Sequence, residues 1–276
     1  MIQSRVPQDL RAGVSALMIL MGTGMAGYVV HDKRTESLQQ HEYVLAVAGD
    51  ETSSRAVKVA MVMGSYYESS YRHIGTPYVD KLGRGQPLTV CNGLTGADVV
   101  AGRSYSPADC YRLERVRYLG HERWLASDVP RWSDLPLFVQ VTVLDFLHNK
   151  GASAFASSTM RRKLVAGNLE GACAENERWN RGTVAGVSTV LPGLDVRGKS
   201  NAEICLWDAP PAPPRPPAPP PQAEPEVIPE PPAPAPAPAP TAPRSWWQRL
   251  FGEKACARSR PQCLWTPCCG GSSPWR

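Results

Sequence analysis

Residues 67–96, YESSYRHIGTPYVDKLGRGQPLTVCNGLTG, decide the fold, because a helical pattern gives way there to a turn-rich segment. The apolar run AVKVAMVMGSYYE at 56–68 has helical periodicity, and either Ser53 or Ser54 is a favoured N-cap for it. Strand signal is confined to residues 77–90, whose glycines and polar residues are typical of a short hairpin. We therefore expect a helix that ends in the quoted stretch and is followed by a small β-hairpin.

Further helical patterns lie downstream, at 106–125, 135–147 and 158–166. The first opens with Ser106 and Pro107, residue types favoured at the cap and in the first turn of a helix. Several helices beside one small sheet indicate an α+β fold that is mostly helical. The chain of 276 residues is long enough for one domain of about 150 residues with extensions.

The quoted stretch also carries a candidate catalytic set, with Glu68 at the expected helix end and Asp80 and Thr89 in the hairpin. Hydrolysis of a glycosidic bond needs one carboxyl group that protonates the leaving oxygen. It needs a second that activates water or stabilises positive charge at the anomeric carbon. The Thr89 hydroxyl is suited to positioning that water. The spacing alone also fits a solvated helix end and an ordinary turn aspartate.

The two carboxyl groups are expected in different environments. Counting back by about 3.6 residues puts Val57, Met61 and Gly64 on the helix face of Glu68. That apolar face should meet the core, so the carboxyl group would be partly desolvated and its pKa raised, as a general acid requires. Asp80 lies on a turn and should stay solvated and ionised.

From Glu68 onward the chain resembles the phage-type lysozymes, and most of all the signal-arrest-release endolysins. Those enzymes carry a Glu…Asp…Thr triad followed by Cys-x-Gly-x-Thr-Gly, a pattern matched here by Cys91, Gly93, Thr95 and Gly96. Weaker matches follow in the family's order at 149–155, 158–173, 178–179, 193–197 and 205–207. The resemblance covers residues 12–207 and implies a lysozyme-like domain.

The resemblance implies a role for each residue of the triad. Glu68 would be the general acid, Asp80 would orient or activate water, and Thr89 would help to hold that water. The reaction would be hydrolysis of the β-1,4 bond between N-acetylmuramic acid and N-acetylglucosamine in peptidoglycan, with Asn149 and Arg178 as candidate substrate contacts. Whether hydrolysis inverts or retains the anomeric configuration stays open, since it depends on the separation of the carboxyl groups.

This chemistry requires no metal or organic cofactor. Two alternatives remain: a non-hydrolytic, membrane-tethered module that binds the cell wall, and a lytic transglycosylase, which needs only one acid. The chain departs from the family pattern in longer Glu–Asp and Asp–Thr gaps. It also has Ser69 after the acid in place of glycine, Leu94 in place of a histidine, and Gly198 in place of one arginine of a pair.

Residues 12–31, AGVSALMILMGTGMAGYVVH, carry no formal charge and follow Arg5 and Arg11. Twenty helical residues span about 30 Å, one hydrocarbon thickness, but glycines dilute the apolar content. A permanent anchor, a cleaved signal peptide, a buried core helix and a weak anchor that later leaves the bilayer are the alternatives. We expect the weak anchor, in the host inner membrane first and in the periplasm after release. No cysteine precedes Cys91, so release would follow loss of the membrane potential rather than thiol exchange.

The composition divides the chain into five parts. We expect a membrane segment at 1–34, a linker at 35–52, the lysozyme domain at 53–208, a proline-rich linker at 209–244 and a basic, aromatic, cysteine-rich tail at 245–276. Of the 28 prolines, 18 fall within 209–244, which predicts an extended polyproline spacer. The tail's tryptophans and arginines suit anionic envelope lipid.

The eight cysteines form two groups, four of them crowded in the tail. The other four lack the paired, close spacing of zinc ligands, so we expect no metal site. In an exported chain, four such cysteines favour two disulfides, and the spacing does not determine their pairing. These disulfide candidates are Cys91, Cys110, Cys173 and Cys205.

The net charge of +5 suits an anionic polymer or a lipid surface. The sequence has no basic recognition helix and no aromatic RNA-binding platform, which argues against a nucleic-acid partner. We expect a monomer whose partners are peptidoglycan glycan strands and membrane lipid.

Overall fold

The structure is a computed structural model, and it describes residues 4–22, 29–80, 85–184 and 186–209. All of these lie in one compact unit, Met1–Pro216. The proline-rich linker from residue 210 and the basic tail at 245–276 lie outside the described residues.

The described residues form a mostly helical domain with two small antiparallel sheets. The helices are α1 (Gln8–Leu20), α2 (Lys33–Gln39), α3 (Glu42–Ala48), α4 (Arg55–Ser69), α5 (Pro107–Asp128), α6 (Leu137–Lys150), α7 (Ala152–Ala156), α8 (Thr159–Val165), α9 (Leu169–Ala174) and α10 (Pro192–Ile204). The strands are β1 (Ile74–Val79), β2 (Leu88–Cys91), β3 (Leu94–Thr95), β4 (Arg181–Val184) and β5 (Val187–Val190). The 3-10 turns are Trp132–Asp134 and Glu175–Trp179.

Helix α4 forms the centre of the core and packs against α6. It begins where the sequence predicts, because the Ser54 side chain accepts a hydrogen bond from the Val57 amide. Its residues from Ala56 to Ser65 are all buried, as the apolar run requires. Helix α5 likewise begins with the expected cap, in which Ser106 and Asp109 form a reciprocal capping box.

The first sheet lies directly after α4. Strands β1 and β2 pair antiparallel, with Tyr78 opposite Thr89, and β3 adds to the other edge of β2. This confirms the hairpin expected at 77–90. The second sheet, β4 paired with β5, was not predicted. Its residues Val184, Val187 and Val190 are exposed, so it lacks the alternating burial by which a strand is recognised from sequence.

The N-terminal segment differs from the expected membrane span. Helix α1 has 13 residues, a length of about 20 Å, and the backbone turns at Gly22. Among the described residues, no helix is both long and apolar enough to cross a membrane. Leu10, Val14 and Leu17 are buried in the core, and α1 packs against α2, α3 and α4. Residues 23–28 of the expected span lie outside the described residues.

The close approach of α1 to the end of α4 depends on Gly13. A Cβ atom at this position would lie 1.9 Å from the hydroxyl oxygen of Tyr71, which follows α4. Polar contacts also attach the N-terminus to the domain, since the Arg5 guanidinium pairs with Glu177 at 2.6 Å and its amide donates to Glu203.

Residues 35–52 were expected to be a linker, but they contain most of α2 and all of α3. Asp32 caps α2 by accepting from the Thr35 amide, and His41 caps α3. Tyr43, Val44 and Val47 are fully buried. The segment is therefore part of the domain, because α3 buries an apolar face and α2 packs against α1.

The four central cysteines form two disulfides, as expected. Cys91 pairs with Cys110 and joins β2 to the first turn of α5. Cys173 pairs with Cys205 and joins α9 to the end of α10.

Candidate active site

Glu68 lies in the last turn of α4, where the helix leaves the core. Its side chain is 30% exposed, so it is not shielded on the buried face as the helical spacing predicted. The positions one, two and three turns earlier are buried as expected. The helix emerges at its end, and the carboxylate faces the turn between β2 and β3, where a Cβ on Gly93 would lie 3.8 Å from Oε2.

The partner of Glu68 is Arg197 of α10. The Arg197 Nη1 donates to Glu68 Oε1 at 2.6 Å. Burial by itself lowers the pKa of Arg197, but the carboxylates of Asp145 and Glu68 outweigh it, and the pKa is raised. Arg197 is 6% exposed. Because its pKa is raised, it presents a permanent positive charge to an otherwise accessible carboxyl group.

Arg197 is held from behind by Asp145 of α6. Nε donates to Asp145 Oδ2 at 3.0 Å and Nη2 donates to Oδ1 at 2.8 Å, which makes the pair bidentate. The Asp145 side chain is fully buried. Asn201, on the same helix as Arg197, also donates to Asp145 Oδ2, at 2.6 Å.

An aromatic ring completes the cluster. The Arg197 guanidinium lies 4.7 Å from the centroid of the Tyr67 ring, within range of a cation–π contact. The Tyr67 hydroxyl donates to Asn201 Oδ1 at 2.8 Å. The Arg197 cluster, defined as Tyr67, Glu68, Asp145, Arg197 and Asn201, therefore joins the end of α4 to α6 and α10.

Asp80 immediately follows β1 and is half-buried, with its amide donating to Pro87 O at 3.0 Å. The pKa of Tyr78 is raised, first by burial and then by the negative charges of Asp80 and Glu68. Both carboxyl groups therefore interact electrostatically with one exposed tyrosine, on the edge strand of the first sheet.

Thr89 is buried, at 2% exposed, and its hydroxyl donates to Pro87 O at 3.2 Å. It was expected to offer its hydroxyl to a water. The structure brings it next to Tyr78 in the hairpin register, but its hydroxyl hydrogen is already committed.

The two candidate substrate contacts differ in position. Asn149 lines a small depression together with Lys150, Trp179 and Arg197. Arg178 is not in the wall of this depression; its side chain is 73% exposed and lies 3.6 Å from the carboxylate of Glu175. The structure therefore brings Asn149 close to the Arg197 cluster and leaves Arg178 outside it.

The departures from the family pattern have local reasons. The Ser69 hydroxyl donates to Asn92 Oδ1 at 2.6 Å, which ties the end of α4 to the β2–β3 turn. Leu94 is buried and adds to the core. A Cβ at Gly198 would lie 2.8 Å from the carbonyl oxygen of Asn176, so α10 needs a glycine there to approach the 3-10 turn.

The sequence reasoning did not assign Asp145 or Arg197 a role. A signal for Asp145 exists, because it is the only charge in the run LFVQVTVLDFL at 137–147. A single carboxylate in an apolar helix implies a buried partner. Arg197 was noted only as part of the family match at 193–197, without a role. Within the described ranges, no group of three or more His, Cys, Asp or Glu side chains could hold a metal ion.

Comparisons with known proteins match this domain. A sequence profile of the family described as Phage lysozyme matches residues 73–201, a range that begins after Glu68. The SAR-endolysin of Bacteriophage PS119 is 34% identical over 131 residues, covering 48% of this chain and 73% of the relative. The SAR-endolysin of Enterobacteria phage P21 is also 34% identical over 131 residues, covering 48% of this chain and 74% of the relative.

Among solved structures, an endolysin from Escherichia coli O157:H7 phage FAHEc1 aligns with a TM-score of 0.49 at 19% identity, over 57% of this chain and 95% of that one. The relatives at 34% identity are covered over almost three quarters of their length. The chain therefore belongs to the phage lysozyme family, with SAR-endolysins as relatives.

Proposed function

We propose that the chain is a muramidase that hydrolyses the β-1,4 bond between N-acetylmuramic acid and N-acetylglucosamine in peptidoglycan and so lyses a bacterial host. Glu68 protonates the leaving oxygen, and Asp80 orients or activates the water. Thr89 supports that water through the lone pair that its hydroxyl oxygen keeps after donating to Pro87.

The observation that carries the proposal is the position of Glu68. An accessible carboxyl group lies at the end of a buried helix and contacts a buried arginine. A free solvated glutamate would have no such partner. The negative charges of Asp80 and Glu68 both raise the pKa of Tyr78. This favours two carboxyl groups around one bound sugar.

Glu68→Gln tests the proposal, because the amide keeps the size and one acceptor of the side chain but has no proton to transfer. We expect release of soluble muropeptides from purified peptidoglycan to fall by about 100-fold or more. Glu170→Gln, at an exposed position of α9, is the matched control and should retain wild-type turnover.

Product analysis by mass spectrometry separates the reactions. Reducing ends generated by hydrolysis support the proposal, whereas 1,6-anhydromuramic products would identify a lytic transglycosylase. Normal turnover by Glu68→Gln would contradict the assignment of the acid, and sugar binding without turnover by the unmodified protein would indicate a wall-binding module.

The proposal includes a location. The chain is exported with residues 12–31 in the host inner membrane, and release to the periplasm allows α1 to pack on α4. Two observations support this: the uncharged, glycine-diluted composition of the segment, and the fit of α1 against Tyr71 at the end of the helix that carries Glu68.

A further inference from the structure

We propose that Asp145 is a positioning residue for the reaction: it orients Arg197 and offsets its charge beside Glu68, the proposed general acid. The inference rests on the proposed role of Glu68 as general acid. Asp145 is fully buried and reaches Glu68 through Arg197.

The geometry leaves Arg197 one orientation. Two of its nitrogens donate to the two oxygens of Asp145, and a third nitrogen, Nη1, reaches Glu68. Tyr67 covers the face of the guanidinium. Because the group is planar and its donors form a fixed fork, the Asp145 contact determines where Nη1 points.

The charges make the second half of the argument. An uncompensated cation in contact with a carboxyl group favours the carboxylate and lowers the pKa of that group, typically by about one to three pH units. A general acid must instead be protonated in the reacting complex. Asp145 is fully buried and bonded to the same guanidinium, so Arg197 and Asp145 together present almost no net charge to Glu68.

The other groups that face Glu68 come from β1 and α5. Tyr78 of β1, together with Glu114 and Tyr118 of α5, is electrostatically coupled to Glu68. These three are neutral or anionic. Lys150 and His148 of α6 face Arg197, and burial lowers the pKa of each. Arg197 is thus the cation in direct contact, and its compensation by Asp145 dominates the balance.

Asp145→Asn is the test, measured as kcat against pH on solubilised peptidoglycan. The amide keeps the shape and loses the negative charge. We expect the alkaline limb of the profile to move to lower pH by about one unit or more. At a fixed pH on that limb, kcat should then be about 10-fold below the wild-type value, with little change in KM. A purely structural role would reduce activity equally at every pH and leave the limb in place.

Asp128→Asn is the matched control. Asp128 also forms a bidentate pair with an arginine, Arg161, at 2.6 and 3.0 Å. Its loss should lower the melting temperature without moving the limb. A limb for Asp145→Asn that coincides with that of the wild-type protein overturns the inference.

Removal of one member of a buried pair is strongly destabilising, so Asp145→Asn can fail to fold. The double variant Asp145→Asn/Arg197→Gln removes both charges and avoids an unpaired one. If Arg197 and Asp145 offset each other, its alkaline limb stays within about half a unit of the wild-type limb; a displacement of more than one unit overturns the inference.

Glu68→Gln in the same assay separates the two levels of the argument. Retained activity in that variant means that the proposed function itself is wrong. If Glu68→Gln is inactive and Asp145→Asn folds with an unmoved limb, only the role of Asp145 is wrong.

Discussion

Glu114 carries a carboxyl group into the core, where it is 2% exposed and accepts a hydrogen bond from the Tyr43 hydroxyl. Burial raises the pKa of Glu114 to about 7 from its ordinary value of 4.5, against the lowering effect of the Tyr43 hydroxyl and of Asn92. The folded protein therefore binds a proton that the unfolded chain has already released. This contribution to stability is present below pH 4.5 and is lost as the pH rises to about 7.

Glu114→Gln should remove that dependence. We expect the variant to gain about 3 kcal/mol of unfolding free energy relative to wild type between pH 4 and pH 8. Urea denaturation at a series of pH values measures the difference. Glu170→Gln, at an exposed position, should run parallel to wild type. Parallel curves for Glu114→Gln as well would show that the buried carboxyl group is not protonated in the folded protein.

Glu68 shows the limit of helical periodicity at this scale. The pattern places it on the buried face, and the three positions before it on that face are buried. The side chain is nevertheless 30% exposed, because the last turn projects beyond the core and meets a partner from α10. Periodicity describes direction around a helix axis and contains no information about where the surrounding core ends.

At the scale of elements, α1 is the segment with two candidate environments. Its sequence is apolar enough to have suggested a membrane span, and in the folded protein it packs against α2, α3 and α4. The same apolar side chains can serve either environment, because both remove them from water. The short helix and its glycines favour the protein, where Gly13 meets Tyr71.

The proposed release predicts a change of fraction. In cells that express the full chain, we expect the protein in the membrane fraction before depolarisation and in the soluble periplasmic fraction afterwards. The Gly13→Ala variant should be released in the same way, because one added methyl group hardly changes how the apolar segment binds lipid. Its Cβ would collide with the Tyr71 hydroxyl, so the released variant should be less stable by about 1–3 kcal/mol and less active.

Cell fractionation with immunoblotting, followed by thermal unfolding of the soluble protein, measures both effects. Tyr71→Phe in the Gly13→Ala background removes the colliding oxygen and should restore part of the lost stability. Retention of the wild-type chain in the membrane after depolarisation would contradict release. Wild-type stability of Gly13→Ala would contradict the tight packing of α1.

On the scale of the whole molecule, the two disulfides connect regions that are distant in the sequence. The half-cystines are separated by 19 residues in one bridge and by 32 in the other. Closing loops of this size restricts the unfolded chain and contributes about 3–4 kcal/mol for each bridge.

Cys173→Ala/Cys205→Ala should therefore lower the unfolding free energy by about 3–4 kcal/mol with peptidoglycan turnover retained below the melting temperature. Cys91→Ala/Cys110→Ala should cost about the same stability and also reduce turnover, because Cys91 directly precedes the turn that faces Glu68. Urea unfolding and turnover assays on both variants measure this. Equal turnover in the two variants would show that the β2–α5 bridge does not support the site.

The sequence by itself determined the local features: a serine cap at 53 or 54, the Ser106 cap, the helix whose last turn carries Glu68, the hairpin that follows, and the disulfide bonding of the four central cysteines. Each depends on residues a few positions apart, whose propensities and spacing act locally. The tertiary structure alone decided the pairing of the cysteines, the packing of α1 and α3 into the domain, and the contact between Glu68 and Arg197, residues 129 positions apart. Such contacts arise from the burial of whole helix faces against one another, and no local pattern specifies which faces meet.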